Sequence, residues 1–265
     1  MSEYPQRYLA EVTARLNAIA AEAAGGGLDA AIDLLTDGIR RGGVIQAFGT
    51  GHSQAFAMEI AGRAGGLIPT NAIRLADLAL YGDLDADELS GPALERDPDI
   101  AERLLALYPV HPADVFIIAS NSGVNPSIVG LALAARAGGH SVIAVTSVEH
   151  TNGVQPKHES GKRLSEVADF VIDNRAPYGD TTIPLGEVAK VGAVSSITAA
   201  FIAQLLTIGV ADRLAADGAT PPVYISANIP EGDAHNNALE ARFGNRIKRG
   251  AASVSPRNQR KVGSQ

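Results

Sequence analysis

Residues 114–137 read DVFIIASNSGVNPSIVGLALAARA and hold three kinds of sequence in succession. The run over 114–119 is apolar and rich in Val and Ile, which predicts a buried strand. Two serines, two asparagines and a glycine follow within residues 120–125. Pro126 suits the first turn of a helix, and the apolar, alanine-rich stretch after it predicts a helix over 125–137. A strand, a polar turn and a helix in this order are typical of a βαβ unit.

The rest of the chain repeats this alternation of short apolar runs and helical patterns. Further strand-like runs cover residues 44–48, 71–75, 140–147 and 168–174. Apolar residues at helical spacing predict helices over 53–63, 93–106 and 187–215. The strands are rich in Val and Ile without polar alternation, as expected for strands covered on both faces. We therefore predict an α/β fold, a single domain with a parallel, doubly wound sheet flanked by helices, of the flavodoxin-like or Rossmann-like kind.

Two further segments lie outside this alternation. Helical spacing over 6–23 and 28–40, interrupted by three consecutive glycines, predicts an N-terminal helical arm that ends at residue 42. The α/β domain itself is expected to cover residues 43–249. Residues 250–265 have little to bury and carry basic but no acidic side chains. We expect this tail to be disordered.

Composition excludes several classes of function. The 265 residues have a formal net charge of −7, which argues against nonspecific binding of nucleic acid. With no cysteine there is no disulfide framework and no thiolate metal site. The six histidines show no metal-binding spacing, so we predict neither a metal nor a cofactor. No uninterrupted apolar run is long enough for a membrane span, and the first residues lack the apolar core of a signal peptide. We expect a cytoplasmic protein without a membrane partner.

Two strand-to-helix turns are unusually polar. The first is Gly49-Thr50-Gly51-His52-Ser53, and the second covers residues 120–125. In a doubly wound sheet such turns meet beyond the carboxyl ends of the strands, where ligands bind. Glycines let the backbone approach a ligand, and hydroxyls with helix N-terminal amides can hold a phosphate without lysines. Either turn alone is equally compatible with an ordinary capped connection, and the first lacks the third glycine of a dinucleotide fingerprint.

These segments resemble the SIS (sugar isomerase) domain family of phosphosugar-binding proteins. The resemblance rests on GTGHS at 49–53 and SNSGVNPS at 120–127, and it extends to a stand-alone branch of that family. The branch motifs are RAGGLIP at 63–69, KHESGKRLSEVADFVIDN at 157–174 and PPVYISANIPEGDAHNN at 221–237. Within the branch, the chain is similar to an actinobacterial N-acetylglucosamine-6-phosphate dehydratase and, more distantly, to N-acetylmuramic acid 6-phosphate etherases.

The resemblance implies a phosphosugar pocket. Ser53, Ser120, Ser122 and Asn125 would hold the phosphate, together with backbone amides near Gly51 and Gly123. The start of the helix predicted over 187–215 would complete the sugar pocket. The full set of expected substrate-binding residues is Gly49, Thr50, Gly51, His52, Ser53, Ser120, Asn121, Ser122, Gly123, Asn125, Ser195 and Ser196. SIS domains usually assemble as homodimers or homotetramers, so the expected partners are a small sugar phosphate and copies of the same chain.

Two residues are candidates for acid–base chemistry. Glu59 lies on the helix after the first turn, and the segment 59–63 resembles the Glu-Leu-x-Gly-Arg of phosphoheptose isomerases, in which the glutamate is catalytic. The alternative for Glu59 is a structural ion pair with Arg63 at i,i+4 spacing. His158 belongs to a branch motif on a predicted loop, where residues without a core role are often functional. Glu187 and Lys190 are either a substitute acid or surface residues.

Three functions remain open at this stage. The first is a lyase that removes the C2 proton of N-acetylglucosamine 6-phosphate and eliminates the C3 substituent. The second is an aldose–ketose isomerase, which starts with the same proton removal. The third is a phosphosugar sensor without catalysis. Phosphoheptose isomerases place a catalytic histidine on their last long helix, and residues 187–215 contain none, so the lyase is favoured.

Overall fold

Five parallel strands form the centre of the molecule. A computed structural model describes residues 3–89, 93–97, 99–218 and 220–248. The strands are β1 (Ile45–Gly49), β2 (Thr70–Ile73), β3 (Val115–Ala119), β4 (Ser141–Thr146) and β5 (Phe170–Asp173). They follow the order β2-β1-β3-β4-β5, and each neighbouring pair is parallel. The prediction of an α/β fold with a parallel sheet is confirmed.

Burial on both faces explains the apolar runs. In β3, Val115 and Ile117 enter one hydrophobic cluster, while Phe116 and Ile118 enter a second on the opposite face. Successive side chains of a strand point to opposite faces, so every position in such a strand meets a hydrophobic layer. A single Val- and Ile-rich run therefore supplies both cores.

Helices cover each face. They are α1 (Tyr4–Ala24), α2 (Asp29–Arg40), α3 (Gln54–Ile60), α4 (Asp77–Leu80), α5 (Ala93–Arg96), α6 (Ile100–Leu105), α7 (Pro126–Ala137), α8 (Val148–Gly153), α9 (Leu164–Val167), α10 (Ser195–Ala216) and α11 (Gly232–Glu240). Helices α2, α3 and α10 pack on the face that receives Val115, and α6, α7 and α9 pack on the other. Short 3-10 helices lie at Gly51–Ser53, Ala86–Leu89 and Ala241–Arg246.

The first two helices belong to the main core rather than projecting from it. Ile19 of α1 and Leu35 of α2 are buried in the same cluster as Ile202 of α10. The domain boundary at residue 42 stays a prediction. The tail over 250–265, for which disorder was predicted, lies outside the described residues.

The prediction of a helix over 187–215 is wrong for residues 187–194. An antiparallel hairpin of β6 (Thr181–Leu185) and β7 (Ala189–Ala193) precedes α10, which begins only at Ser195. Gly192 has a positive φ of 77°, which a helix does not allow. Glu187 lies at the hairpin turn and Lys190 on β7, and both are exposed. The apolar spacing here fits both periods, so sequence alone could not separate strand from helix.

Two other predicted helices are shorter than expected. The pattern over 93–106 is divided between α5 and α6. The pattern over 53–63 becomes the 3-10 turn followed by α3, which ends at Ile60, and Gly62 just beyond it has a positive φ of 78°.

Helix α10 is long and apolar. Within the described ranges it is the one helix whose length and composition would let it cross a membrane. Its buried residues include Ile202, Leu206 and Val210, which pack in the cluster shared with α2 and the sheet. Here it serves as a core helix, and the predicted cytoplasmic location stays a prediction.

Candidate functional site

The two polar turns lie side by side where the strand order reverses. Strand β1 pairs with β2 on one side and with β3 on the other, so the chain leaves β1 and β3 in opposite directions across the sheet. In open α/β sheets, ligands bind in the crevice at this switch point, beyond the carboxyl ends of the strands. The turn after β1 and the turn after β3 both border that crevice.

The first turn is a tight backbone structure that requires glycine. It closes as a 3-10 helix over Gly51–Ser53, in which the Ser53 amide donates to the carbonyl of Thr50 at 3.1 Å. A Cβ on Gly49 would collide with the backbone carbonyl of Ser53. Gly51 has a φ of +54°, a region that favours glycine. Gly49 therefore allows the close approach of the Ser53 backbone, and Gly51 allows the left-handed backbone conformation of the turn.

The second turn is held by its own serine. The Oγ of Ser120 accepts a hydrogen bond from the Gly123 amide at 3.1 Å. Gly123 has a φ of +64°, and a Cβ there would lie 3.1 Å from Thr151 Oγ1 and 3.3 Å from Thr146 Oγ1. Glycine at this position therefore serves both the conformation of the turn and its close packing on β4 and α8.

A narrow cleft, partly open to solvent, lies between these turns and the start of α10. Its polar lining consists of His52, Ser53, Ser120, Asn121, Asn174, Ser195 and Ser196. Its apolar lining consists of Phe56, Ala119, Val145 and Ala199. The structure thus brings together six of the residues predicted from sequence, and they come from three separate segments of the chain.

The other predicted binding residues flank the cleft without lining it. Gly49 and Thr50 are buried at the end of β1. Gly51, Ser122 and Gly123 lie within the two turns, and they supply backbone rather than lining side chains. Their predicted roles in binding stay predictions.

Asn125 has a protein partner that sequence reasoning missed. Its Nδ2 donates to Glu95 Oε2 at 3.1 Å. The other carboxylate oxygen of Glu95 lies 3.2 Å from the position that a Cβ of Gly51 would occupy. Glu95 thus touches both turns and connects them through its carboxylate.

Glu59 lies outside the cleft. Its Oε1 accepts a hydrogen bond from Gln204 Nε2 of α10 at 2.6 Å and forms an ion pair with Arg63. Its side chain is 23% exposed and borders a shallow surface hollow with Met58. The ion pair with Arg63, the alternative weighed from sequence, is present. The catalytic role predicted for Glu59 stays a prediction.

His158 lies next to the second turn. Its loop is fastened to that turn by the Lys157 amide, which donates to Val124 O at 3.3 Å, and by the Leu164 amide, which donates to Gly123 O at 2.8 Å. The imidazole Nδ1 accepts from the Ser160 amide at 3.1 Å. His158 does not line the cleft, so its predicted role as a catalytic group also stays a prediction.

Two residues of the segment 174–180 escaped the sequence analysis. Asn174 is 3% exposed, lines the cleft and donates from Nδ2 to Asn121 Oδ1 at 3.1 Å. Asp180 accepts from the backbone amide of Ser195 at 2.8 Å and from its hydroxyl at 2.6 Å. The available signal was the polar tract NRAPYGD directly after a predicted strand, a third strand end beside the two turns already singled out.

The chemistry of the lining is that of neutral donors and acceptors. Among the residues that the structure describes, His52 is the single titratable side chain of this lining, and neither lysine nor arginine contributes to it. Across the described part of the chain, no group of three or more His, Asp or Glu side chains is arranged to hold a metal ion. Hydroxyls, amides and backbone N–H groups can bind an oxyanion under these conditions.

Comparisons with known proteins agree with this geometry. Residues 7–147 match the model of the SIS domain family. A UPF0309 protein of Listeria monocytogenes is 37% identical over 82% of this chain and 88% of its own, and one of Geobacillus kaustophilus is 33% identical over 83% and 86%. A phosphoheptose isomerase structure from Francisella tularensis superposes with a TM-score of 0.51 at 16% identity, over 79% of this chain and 98% of the other, which supports the fold alone.

A family match over more than half of the chain, joined with relatives above 30% identity, defines the class. The chain belongs to the SIS domain family.

Proposed function

We propose that this protein binds a sugar phosphate in the cleft at the strand-order reversal. The observation that carries the proposal is the convergence of two hydroxyl- and amide-rich turns with the first turn of α10 on one crevice. A protein of net charge −7 can bind an anion there because backbone amides and hydroxyls supply local positive potential. Six of the substrate-binding residues expected from the sequence line this cleft, which supports the same site.

We further propose that the reaction is an elimination from an N-acetylhexosamine 6-phosphate such as N-acetylglucosamine 6-phosphate. In the open-chain aldehyde, the C2 proton is acidic because it lies next to the C1 carbonyl. A base takes this proton, the electron pair forms the C2–C3 double bond, and the C3–O bond breaks with loss of water. Helix α10, whose first turn lines the cleft, contains no histidine, so it lacks the group that the related isomerases use there.

Two side chains are candidates for the base. Glu59 is the candidate favoured by the family resemblance, and it would have to exchange its contacts with Gln204 and Arg63 for the substrate. His52 already lines the cleft, and an imidazole is suited to proton transfer near neutral pH. Substitution of each separately distinguishes them.

The test is incubation of the protein with N-acetylglucosamine 6-phosphate in D₂O, followed by mass spectrometry and proton NMR. Loss of water supports the lyase. Ketose formation with deuterium exchange would replace it by the isomerase. Binding without turnover across a panel of sugar phosphates would leave a sensor, and absence of binding would refute the proposal altogether.

Variants assign the base. We expect Glu59→Gln to lower turnover by at least about 100-fold while binding is retained, because a general base contributes on this scale. His52→Asn is the competing variant, and Glu166→Gln, an exposed carboxylate at the start of α9, is the control. Full turnover in Glu59→Gln together with its loss in His52→Asn would assign the base to His52.

A further inference from the structure

The segment 174–180 has unusual backbone strain at both of its ends. It joins β5 to the hairpin, and Arg175 and Asp180 have positive φ values of 60° and 65°. Among the described residues they are the two non-glycine positions in this region of conformational space. Such conformations are energetically unfavourable for non-glycine residues and are retained where the surrounding structure or function requires them.

Neighbouring elements hold the segment in place. The Ser147 hydroxyl donates to Ala176 O at 2.6 Å. The Gly179 amide donates to the Nδ1 of His150 at 2.9 Å, and the ring of His150 stacks on Tyr178 at 5.1 Å between centroids. The segment is therefore fastened to the end of β4 and to α8, and its two ends are fixed relative to the cleft.

At its first end, the segment determines which way the amide of Asn121 faces. The Ala176 N–H can only donate, so the atom of Asn174 that it meets at 2.9 Å is the oxygen Oδ1. The nitrogen of Asn174 then faces Asn121, so the atom of Asn121 that it meets is also an oxygen. The Nδ2 of Asn121 is left as a donor, and it has no acceptor in the part of the chain that the structure describes.

At its second end, the segment determines the direction of a hydroxyl. Asp180 accepts from the backbone amides of Val194 at 3.2 Å and Ser195 at 2.8 Å. Its other oxygen lies 2.6 Å from Ser195 Oγ, and an ionised carboxylate can only accept. The Ser195 hydroxyl hydrogen is therefore committed to Asp180, and toward the cleft its oxygen is an acceptor.

We propose that Asn174 and Asp180 are positioning residues. Asn174 orients Asn121 so that it donates a hydrogen bond into the cleft, and Asp180 orients Ser195 so that it accepts one there. The ligand then has a hydrogen-bond acceptor, such as a phosphate oxygen, at Asn121. At Ser195 the ligand has a group that donates, such as a sugar hydroxyl or an amide N–H. Ser195 therefore contacts the sugar moiety and does not contact the phosphate. This rests on the proposed binding of a sugar phosphate in the same cleft.

The test separates the sugar end of the ligand from the phosphate end. In Asp180→Asn, the Oδ1 still accepts from both backbone amides, but the Nδ2 now donates to Ser195 Oγ and takes its acceptor position. We expect the affinity for N-acetylglucosamine 6-phosphate to fall about 10-fold, the equivalent of one hydrogen bond, and that for inorganic phosphate to stay unchanged or to rise, since the variant loses a negative charge. Isothermal titration calorimetry with both probes measures this.

One alternative variant and one control variant complete the test. Ser195→Ala leaves the backbone contacts of Asp180 in place and should reproduce the selective loss, so it serves if Asp180→Asn does not fold. The control Asp169→Asn alters a carboxylate that accepts one backbone amide, that of Val142 at 2.8 Å, at the opposite end of the strands. It should bind both probes like the wild type.

The outcomes are distinct. A wild type that binds neither probe refutes the sugar-phosphate proposal and this inference with it. A wild type that binds both probes, with Asp180→Asn and Ser195→Ala binding them equally well, refutes this inference alone. An equal loss of both probes in the two variants would also refute it, since it would indicate a merely structural role.

Discussion

Polar side chains are buried at both ends of the parallel strands, but their surroundings differ. At the amino ends, the fully buried carboxylate of Asp114 accepts from the amides of Val44 at 2.8 Å and His111 at 3.2 Å. It also accepts from Gln46 Nε2 at 2.9 Å and pairs with the guanidinium of Arg246. All of these partners donate hydrogen bonds to the two carboxylate oxygens, so no acceptor site of Asp114 remains for a ligand.

The same network ties the last described segment to the sheet. The Nδ2 of Asn71 donates to Gln46 Oε1 at 3.1 Å and to Arg246 O at 2.8 Å. Its Oδ1 accepts from the Lys248 amide at 2.7 Å. Buried polar groups at this end therefore stabilise the fold by bonding to one another.

At the carboxyl ends the polar groups are only partly occupied. The side chains of Asn121 and Ser195 each have one protein partner, which lies in the segment 174–180, and both residues line the cleft. The comparison shows that a polar network whose members all bond to one another stabilises the fold, whereas one with unused donors and acceptors is able to bind a ligand. Variants at the two ends should therefore have different consequences.

The largest effect is expected at the amino ends of the strands. Asp114→Ala leaves the Arg246 guanidinium and the amides around it without their acceptor, which should cost about 3 kcal/mol of unfolding free energy. Urea denaturation measures this, and phosphate affinity should remain at the wild-type level. Asp83→Ala, which removes a 90% exposed carboxylate paired with Arg103, is the control and should change stability little. Equal stability of the two variants would contradict a structural role for Asp114.

An intermediate effect is expected at the first turn. Gly49→Ala places a methyl group against the backbone carbonyl of Ser53, so the turn must shift. We expect a loss of about 2 kcal/mol in stability, as in other overpacked sites, accompanied by weaker binding of phosphate. Gly25→Ala is the matched control, since its Cβ would make only ordinary contacts at 3.5 Å. Unchanged phosphate affinity in Gly49→Ala would exclude the first turn from the binding site.

The smallest effect is expected from a pair of serines at the second turn. Ser120→Ala removes the acceptor of the Gly123 amide and should cost about 1 kcal/mol together with some phosphate affinity. Ser127→Ala removes a buried hydroxyl that has no hydrogen-bond partner among the described residues, so it should be neutral or slightly stabilising. Thermal unfolding of both variants under the same conditions makes the comparison. A larger loss in Ser127→Ala than in Ser120→Ala would reverse the assignment.

Much of the fold could be predicted from local pattern. The five strands appear near the runs that predicted them, and four of these runs are apolar and contain Val or Ile, as expected for strands buried on both faces. The hairpin before α10 was missed, since β6 and β7 are short, β7 is mostly exposed, and their apolar residues also fit a helical period. Gly192, with its positive φ, was the local sign against a helix.

The candidate site was predictable only in part. Turn residues such as Ser53 and Ser120 could be found because strand ends of a parallel sheet meet at one edge. Asn174 could not be ranked above other polar residues, because its role depends on a contact with Asn121, 53 positions earlier in the chain. The contact of the Glu59 carboxylate with Gln204 could not be predicted either, because it depends on how α3 packs against α10, and the catalytic role of Glu59 stays a prediction.

The sequence by itself determined the α/β class, the two-sided burial of the strands and the two glycine-containing turns, because each of these depends on residues close together in the chain. Tertiary structure decided which polar groups line one cleft and which of them donate or accept there. Those properties depend on distances between strand ends and on hydrogen-bond partners far apart in sequence, and only the folded arrangement of the sheet and α10 defines them.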